Sequence, residues 1–150
     1  MTRRRSNHIL REHSLSLTTL AILLLWTVLY IFGDPQTHWG AFYGNAIADW
    51  SGVLVTVLAT KFLYEKGSAE SRVPPSEPGN RILAGLEDHS LTIFLLISGA
   101  GWVVIYLSMD ANSKWGQVVG NIVSEWTQIL GLVLMTKRLI ERRSKESKSR

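Results

Sequence analysis

The chain has 150 residues, 46% of them hydrophobic, with six tryptophans, no cysteine and a formal net charge of +4. Without cysteine, disulfides, thiol catalysis and thiolate metal sites are excluded. The positive balance does not point to nucleic acid, because the basic residues gather at the two ends and in the middle of the chain, between long apolar runs.

The stretch 7–12 (NHILRE) has the pattern of a short interfacial helix. The first apolar run then predicts a helix over about 14–33, with no charge in it. It is long enough to cross ~30 Å of hydrocarbon at ~1.5 Å per residue. It is too long, and too rich in Trp and Tyr near its end, for a signal-peptide core, so it is expected to be retained. A short turn, DPQTHWG, follows, and a second helix is expected over about 41–63. Residues 67–80 (GSAESRVPPSEPGN) are rich in Pro, Ser and Glu and read as a flexible connection. The sequence RILAGLED from Arg81 suggests another short interfacial helix. Two further long helices are expected over about 89–109 and 116–138, joined by DANSKWG, with a basic, disordered tail at 143–150.

The second half repeats the first. With a constant offset of 76, residues 13–72 lie over 89–148 without gaps, and more than twenty positions are identical. All six Trp fall into three pairs: Trp26 with Trp102, Trp39 with Trp115, Trp50 with Trp126. The fold class is therefore all-α, with four transmembrane helices in two tandem hairpins of the same orientation. The first hairpin occupies 1–66, a cytoplasmic linker 67–88, and the second hairpin 89–142. Of 16 Lys and Arg, only Lys114 lies in either short turn between consecutive spans, which places both termini and the linker in the cytoplasm. Trp39 and Trp115 sit where an outer aromatic belt anchors a protein. The Ser of each HSL sequence, Ser14 and Ser90, suits a helix N-cap.

The candidate site lies in the second helix of each hairpin. Asp49 is ten residues from Trp39 and twelve from Lys61, and Glu125 has the same spacing to Trp115 and Lys137, so both acids fall near the bilayer centre. Asn45, Asp49, Gly52 and Thr56 share a helical stripe widened by Gly44 and Ala48; Asn121, Glu125 and Gln128 share another, widened by Gly120 and Ser124. Such faces cannot point at lipid, where an unpaired polar group costs several kcal/mol, and they are expected to meet about a pseudo-twofold axis. Two readings stand side by side. The acids, amides and Ser124 bind or relay a proton or small cation, or they are interhelical glue that packs the bundle or a homodimer. Trp50 and Trp126 beside the acids read as packing, and Ser98 with Gly99–Gly101 as a close-packing spot. Besides the lipid bilayer, the partners expected are a second copy and a proton or small cation, with no nucleic acid. No glycine-rich phosphate loop, zinc-binding helix or nucleophile elbow is present, so no catalytic residue, metal or cofactor is expected.

The pattern N-x-x-[AS]-[DE]-W at 45–50 and 121–126, followed by GSAESR at 67–72 and RSKESK at 143–148, resembles a family of small bacterial integral membrane proteins with two tandem transmembrane hairpins, a domain of unknown function. Each half of that family carries a Ser-Glu-aromatic motif in its second helix. Ser124, Glu125 and Trp126 match it; Ala48 and Asp49 depart from it, and the outer turns here are shorter. The resemblance implies a bacterial cytoplasmic membrane and supplies no activity. On these grounds the chain reads as a membrane protein with a structural polar core, with an ion channel or carrier, and an adaptor for larger membrane partners, as the rival readings.

Overall fold

The computed structural model describes residues 12–71 and 81–139. The stretch 7–12 and the tail 143–150 lie, all but Glu12, outside them. The described residues form five helices and no strands: α1 Ser14–Phe32, α2 His38–Phe62, α3 Arg81–Asp88, α4 Ser90–Ser108 and α5 Lys114–Met135. The helix ends differ from the sequence expectation by at most three residues. The chain divides into two compact units, 1–58 and 59–150, with the boundary inside α2.

Three helices, α1, α4 and α5, are long and apolar enough to cross a membrane. α1 and α4 have apolar residues around their whole circumference, and much of that surface is exposed: Leu24 56%, Ile97 70%, Val104 67% and Leu107 77%. An apolar surface of this extent fits hydrocarbon and not water. α2 has 25 residues and is also long enough, but it is not among these three. Asn45, Asp49 and its small residues lower its hydropathy.

In the first unit a tight turn reverses the chain between α1 and α2. Asp34 organises it: its carboxylate accepts from Gln36 N at 2.9 Å, and its carbonyl accepts from the Thr37 hydroxyl at 2.8 Å. The same hydroxyl accepts from Gly40 N at 3.0 Å and so caps α2. Gly40 is required here, because a Cβ would stand 1.9 Å from the Asp34 carbonyl oxygen. Below the turn, Trp26 stacks on Tyr43 at 5.9 Å and meets Phe42 edge-on at 5.5 Å. Tyr30, buried, rests on Gly44, where a Cβ would lie 3.1 Å from its ring.

The second unit contains a hairpin, α4 and α5, closed by a turn with the same bonds. Asp110 accepts from Asn112 N at 2.9 Å and from the Ser113 hydroxyl at 2.6 Å, and that hydroxyl accepts from Gly116 N at 3.0 Å. Tyr106 lies over Gly120 as Tyr30 lies over Gly44. Val118, Val119, Ile122, Trp126 and Val133 form the buried stripe of α5, and Leu91 and Leu95 that of α4. Trp126 donates to the Ser98 hydroxyl at 2.9 Å, and a Cβ on Gly99 would touch its ring at 3.3 Å. The close-packing spot expected at Ser98–Gly101 is thus a seat for Trp126, using Gly99; Gly101 has open space.

α3 forms as expected, with Ile82, Leu83 and Leu86 exposed. The expectation of flexibility fails for residues 67–71, which are folded in turns and hydrogen bonded. Ser68 and Ser71 are buried.

Candidate functional site

Asn45 and Asp49 are exposed on α2, while Gly44, Ala46, Ile47, Ala48 and Gly52 are buried. The small residues therefore do not widen the polar stripe as expected: Gly44 accepts the Tyr30 ring, and the amide and carboxylate point another way. The difference follows from helix geometry, since neighbours in sequence are ~100° apart around the axis. On α5, Asn121 and Glu125 are half-buried, and Ser124 and Gln128 are exposed. Gln128 Nε2 donates to Glu125 Oε1 at 3.3 Å, an i, i+3 pair on one face. Gly120 belongs with Tyr106, not with this stripe. Trp39 and Trp115 are exposed beside the turns that precede α2 and α5, at 69% and 41%.

A second polar centre, in the second unit, lies at the end of the hairpin away from the turn. Glu65 follows the end of α2 and is fully buried. Its Oε1 accepts from the Lys137 ammonium just beyond α5 and pairs with His89 Nδ1 at 2.7 Å. Its Oε2 accepts from Thr92 N, in the first turn of α4, at 3.1 Å. The preceding Tyr64 carbonyl accepts from Leu91 N at 3.1 Å. Two of the otherwise unpaired N–H groups of α4 are thus satisfied by residues 64–65, and the carboxylate sits at the positive end of the helix dipole. Burial pushes the Glu65 carboxyl up, but Lys137, Thr92 and His89 more than offset this and hold it below the usual carboxylate range.

The rest of the segment closes over this centre. Glu65 N donates to Ser71 Oγ at 3.0 Å, and Ser68 Oγ bonds Thr136 Oγ1 at 2.9 Å. Ala69 N donates to the same Thr136 hydroxyl at 3.2 Å. Gly67 takes φ +92°, a conformation that favours glycine, and so allows the reversal. Outside, Lys66 Nζ meets Asp88 at 2.8 Å.

The HSL sequence predicts Ser90 as a cap, but the structure shows otherwise. The N-cap of α4 is His89, with no side-chain cap hydrogen bond. The Ser90 hydroxyl instead accepts from Tyr64 N at 2.9 Å and donates to Tyr64 O at 3.1 Å. Sequence reasoning missed this centre because its members are spread over 73 positions (137 minus 64). One signal was present: Glu65, Ser68, Ser71, His89, Thr136 and Lys137 each have an identical residue 76 positions away, beyond or at the ends of the apolar runs.

The chain matches no protein-family model, no curated protein and no solved structure.

Proposed function

We propose that this chain is a small integral protein of a bacterial cytoplasmic membrane, without catalytic activity, that assembles with a second copy of itself through its intramembrane polar face. It crosses the bilayer four times, as two tandem hairpins of the same orientation with both termini in the cytoplasm. α2 is the fourth span. The recurrence of the Asp34 and Asp110 turns, and of tyrosine over glycine in each hairpin, supports the duplication.

One observation carries the assembly: Asp49, near the middle of α2, is exposed on the single chain. An exposed carboxylic group at mid-bilayer depth is costly unless something polar covers it. A second copy supplies another Asn45 and Asp49 in a self-complementary contact. Interhelical hydrogen bonds of this kind contribute ~1–2 kcal/mol, so Asp49→Leu should weaken dimerisation roughly 5- to 30-fold. Energy transfer between labelled copies in liposomes measures this; an unchanged dimer fraction would contradict it.

The same exposure favours a second reading, in which water reaches Asp49 and the acids pass a proton or small cation. Proteoliposomes separate the two. Assembly alone predicts flux no higher than in empty vesicles. Flux that disappears in Asp49→Asn and Glu125→Gln would establish passage instead.

A further inference from the structure

α4 and α5 do not pack flush along their whole length. Between them lies a groove of about 130 Å³, bounded by Leu95 and Val103 on α4 and by Val123 and Leu130 on α5. At ~1.5 Å per residue it is roughly 12 Å long, and it runs with the helix axes. Trp126, buried, forms part of its wall, and Leu96, Ala100 and Thr127 stand exposed along it. The polar side chains here are satisfied inside the hairpin. The Trp126 indole donates to the Ser98 hydroxyl at 2.9 Å, that hydroxyl donates to the Phe94 carbonyl at 2.7 Å, and the Thr127 hydroxyl donates to the Ser124 carbonyl at 2.7 Å. The groove offers a ligand no unsatisfied polar side chain, so it suits hydrocarbon and not a polar solute or a cation.

We propose that this groove holds one acyl chain of a membrane phospholipid. Direction, size and packing fix the occupant. α4 and α5 are long and apolar enough to cross a bilayer, so a groove parallel to their axes is parallel to the lipid tails. A volume of about 130 Å³ spread over that length admits a single chain. It is too narrow for a helix of a second copy, whose diameter with side chains is ~10–12 Å. A tail in the groove touches protein on two sides, where a tail on a convex helix touches it on one, and within a bilayer such packing contacts are what drive association. The two repeats differ at this point. In the register of the repeat Gly99 and Ala100 correspond to Leu23 and Leu24, so α4 lacks the two bulky side chains that α1 carries there. Gly99 seats Trp126, and Ala100 is the position whose small side chain keeps the groove open. The inference rests on the membrane reading above, and it needs neither the fourth span nor the dimer.

The test uses full-length protein in liposomes of a phospholipid that carries a photoreactive diazirine near the middle of one chain. After illumination and digestion, mass spectrometry locates the labelled residues. Ile97 and Val104 are the controls, because both are strongly exposed and they flank Ala100 by about one turn on either side. The groove should give several-fold more label on Ala100 and Thr127 than on these two. Ala100→Leu should bring the label on Thr127 down to the control level; should that variant not fold, the wild-type pattern decides by itself. Label that follows exposure alone, highest on Ile97 and Val104, overturns the proposal, since the tails then only bathe the helices. So does a groove shielded from label and cross-linked to another copy, which makes the occupant a second chain. Suppression of the groove label by added free fatty acid but not by unlabelled phospholipid gives the site to the free acid and overturns the phospholipid as occupant. Failure of the membrane reading looks different: Ile97 and Val104 then carry no label either, and the proposal falls with it.

Discussion

Glu65 is fully buried, while two of its partners keep contact with solvent: the His89 side chain is 51% exposed and Lys137 24%. The asymmetry decides which substitution hurts more. In Glu65→Gln, Lys137 and His89 can turn to water. In Lys137→Met, a buried carboxylate loses its strongest partner, and breaking a buried pair from that side costs about 3 kcal/mol or more. Lys137→Met should therefore lower the thermal midpoint in detergent further than Glu65→Gln; equal losses would show that the ammonium is not the chief partner. The pH dependence follows from the lowered Glu65 carboxyl. A carboxyl lower in the folded than in the unfolded state stabilises the fold in full above the unfolded value. That stability is lost as pH falls through the folded value. The midpoint should fall below about pH 4, and Glu65→Gln should flatten that step. A fall of the same size in the variant would assign the acid sensitivity elsewhere.

At the scale of elements, the turns and the tyrosine–glycine seats define the hairpins. A methyl group on Gly116 would stand 2.0 Å from the Asp110 carbonyl oxygen, a backbone atom that cannot rotate away. Gly116→Ala should therefore shift or open the turn and lower the midpoint more than Ser113→Ala, which removes a cap of ~1 kcal/mol. Thermal unfolding of the two variants checks the order. Much of this level was legible in the sequence, since length and unbroken apolar composition mark α1 and α4, and Asp, Gly and Ser or Thr mark the turns. The use of the glycines was not. Gly44 and Gly120 look like part of a polar stripe because they adjoin Asn45 and Asn121, but only the facing helix shows that a tyrosine ring fills the space. Ser90 misled for the same reason: its bond is to Tyr64, a residue distant in sequence.

For the whole molecule, the sequence carries the long apolar runs, the charge asymmetry and an acid in the second helix of each repeat, and the structure adds that Asp49 lies on the exposed side of α2. The clasp at Glu65 escaped the sequence reading because it needs three separated segments to meet, and because a stretch rich in Pro and Ser looks like a loose linker even where it is packed. Cross-linking of Val53→Cys in native membranes tests the central claim most directly. Val53 is exposed one turn beyond Asp49 on the same face, whereas Leu24 is an exposed residue of α1. Assembly through the Asp49 face predicts that oxidation joins Val53→Cys chains into disulfide dimers while Leu24→Cys chains stay monomeric; equal cross-linking at the two positions, or none at Val53, would contradict it.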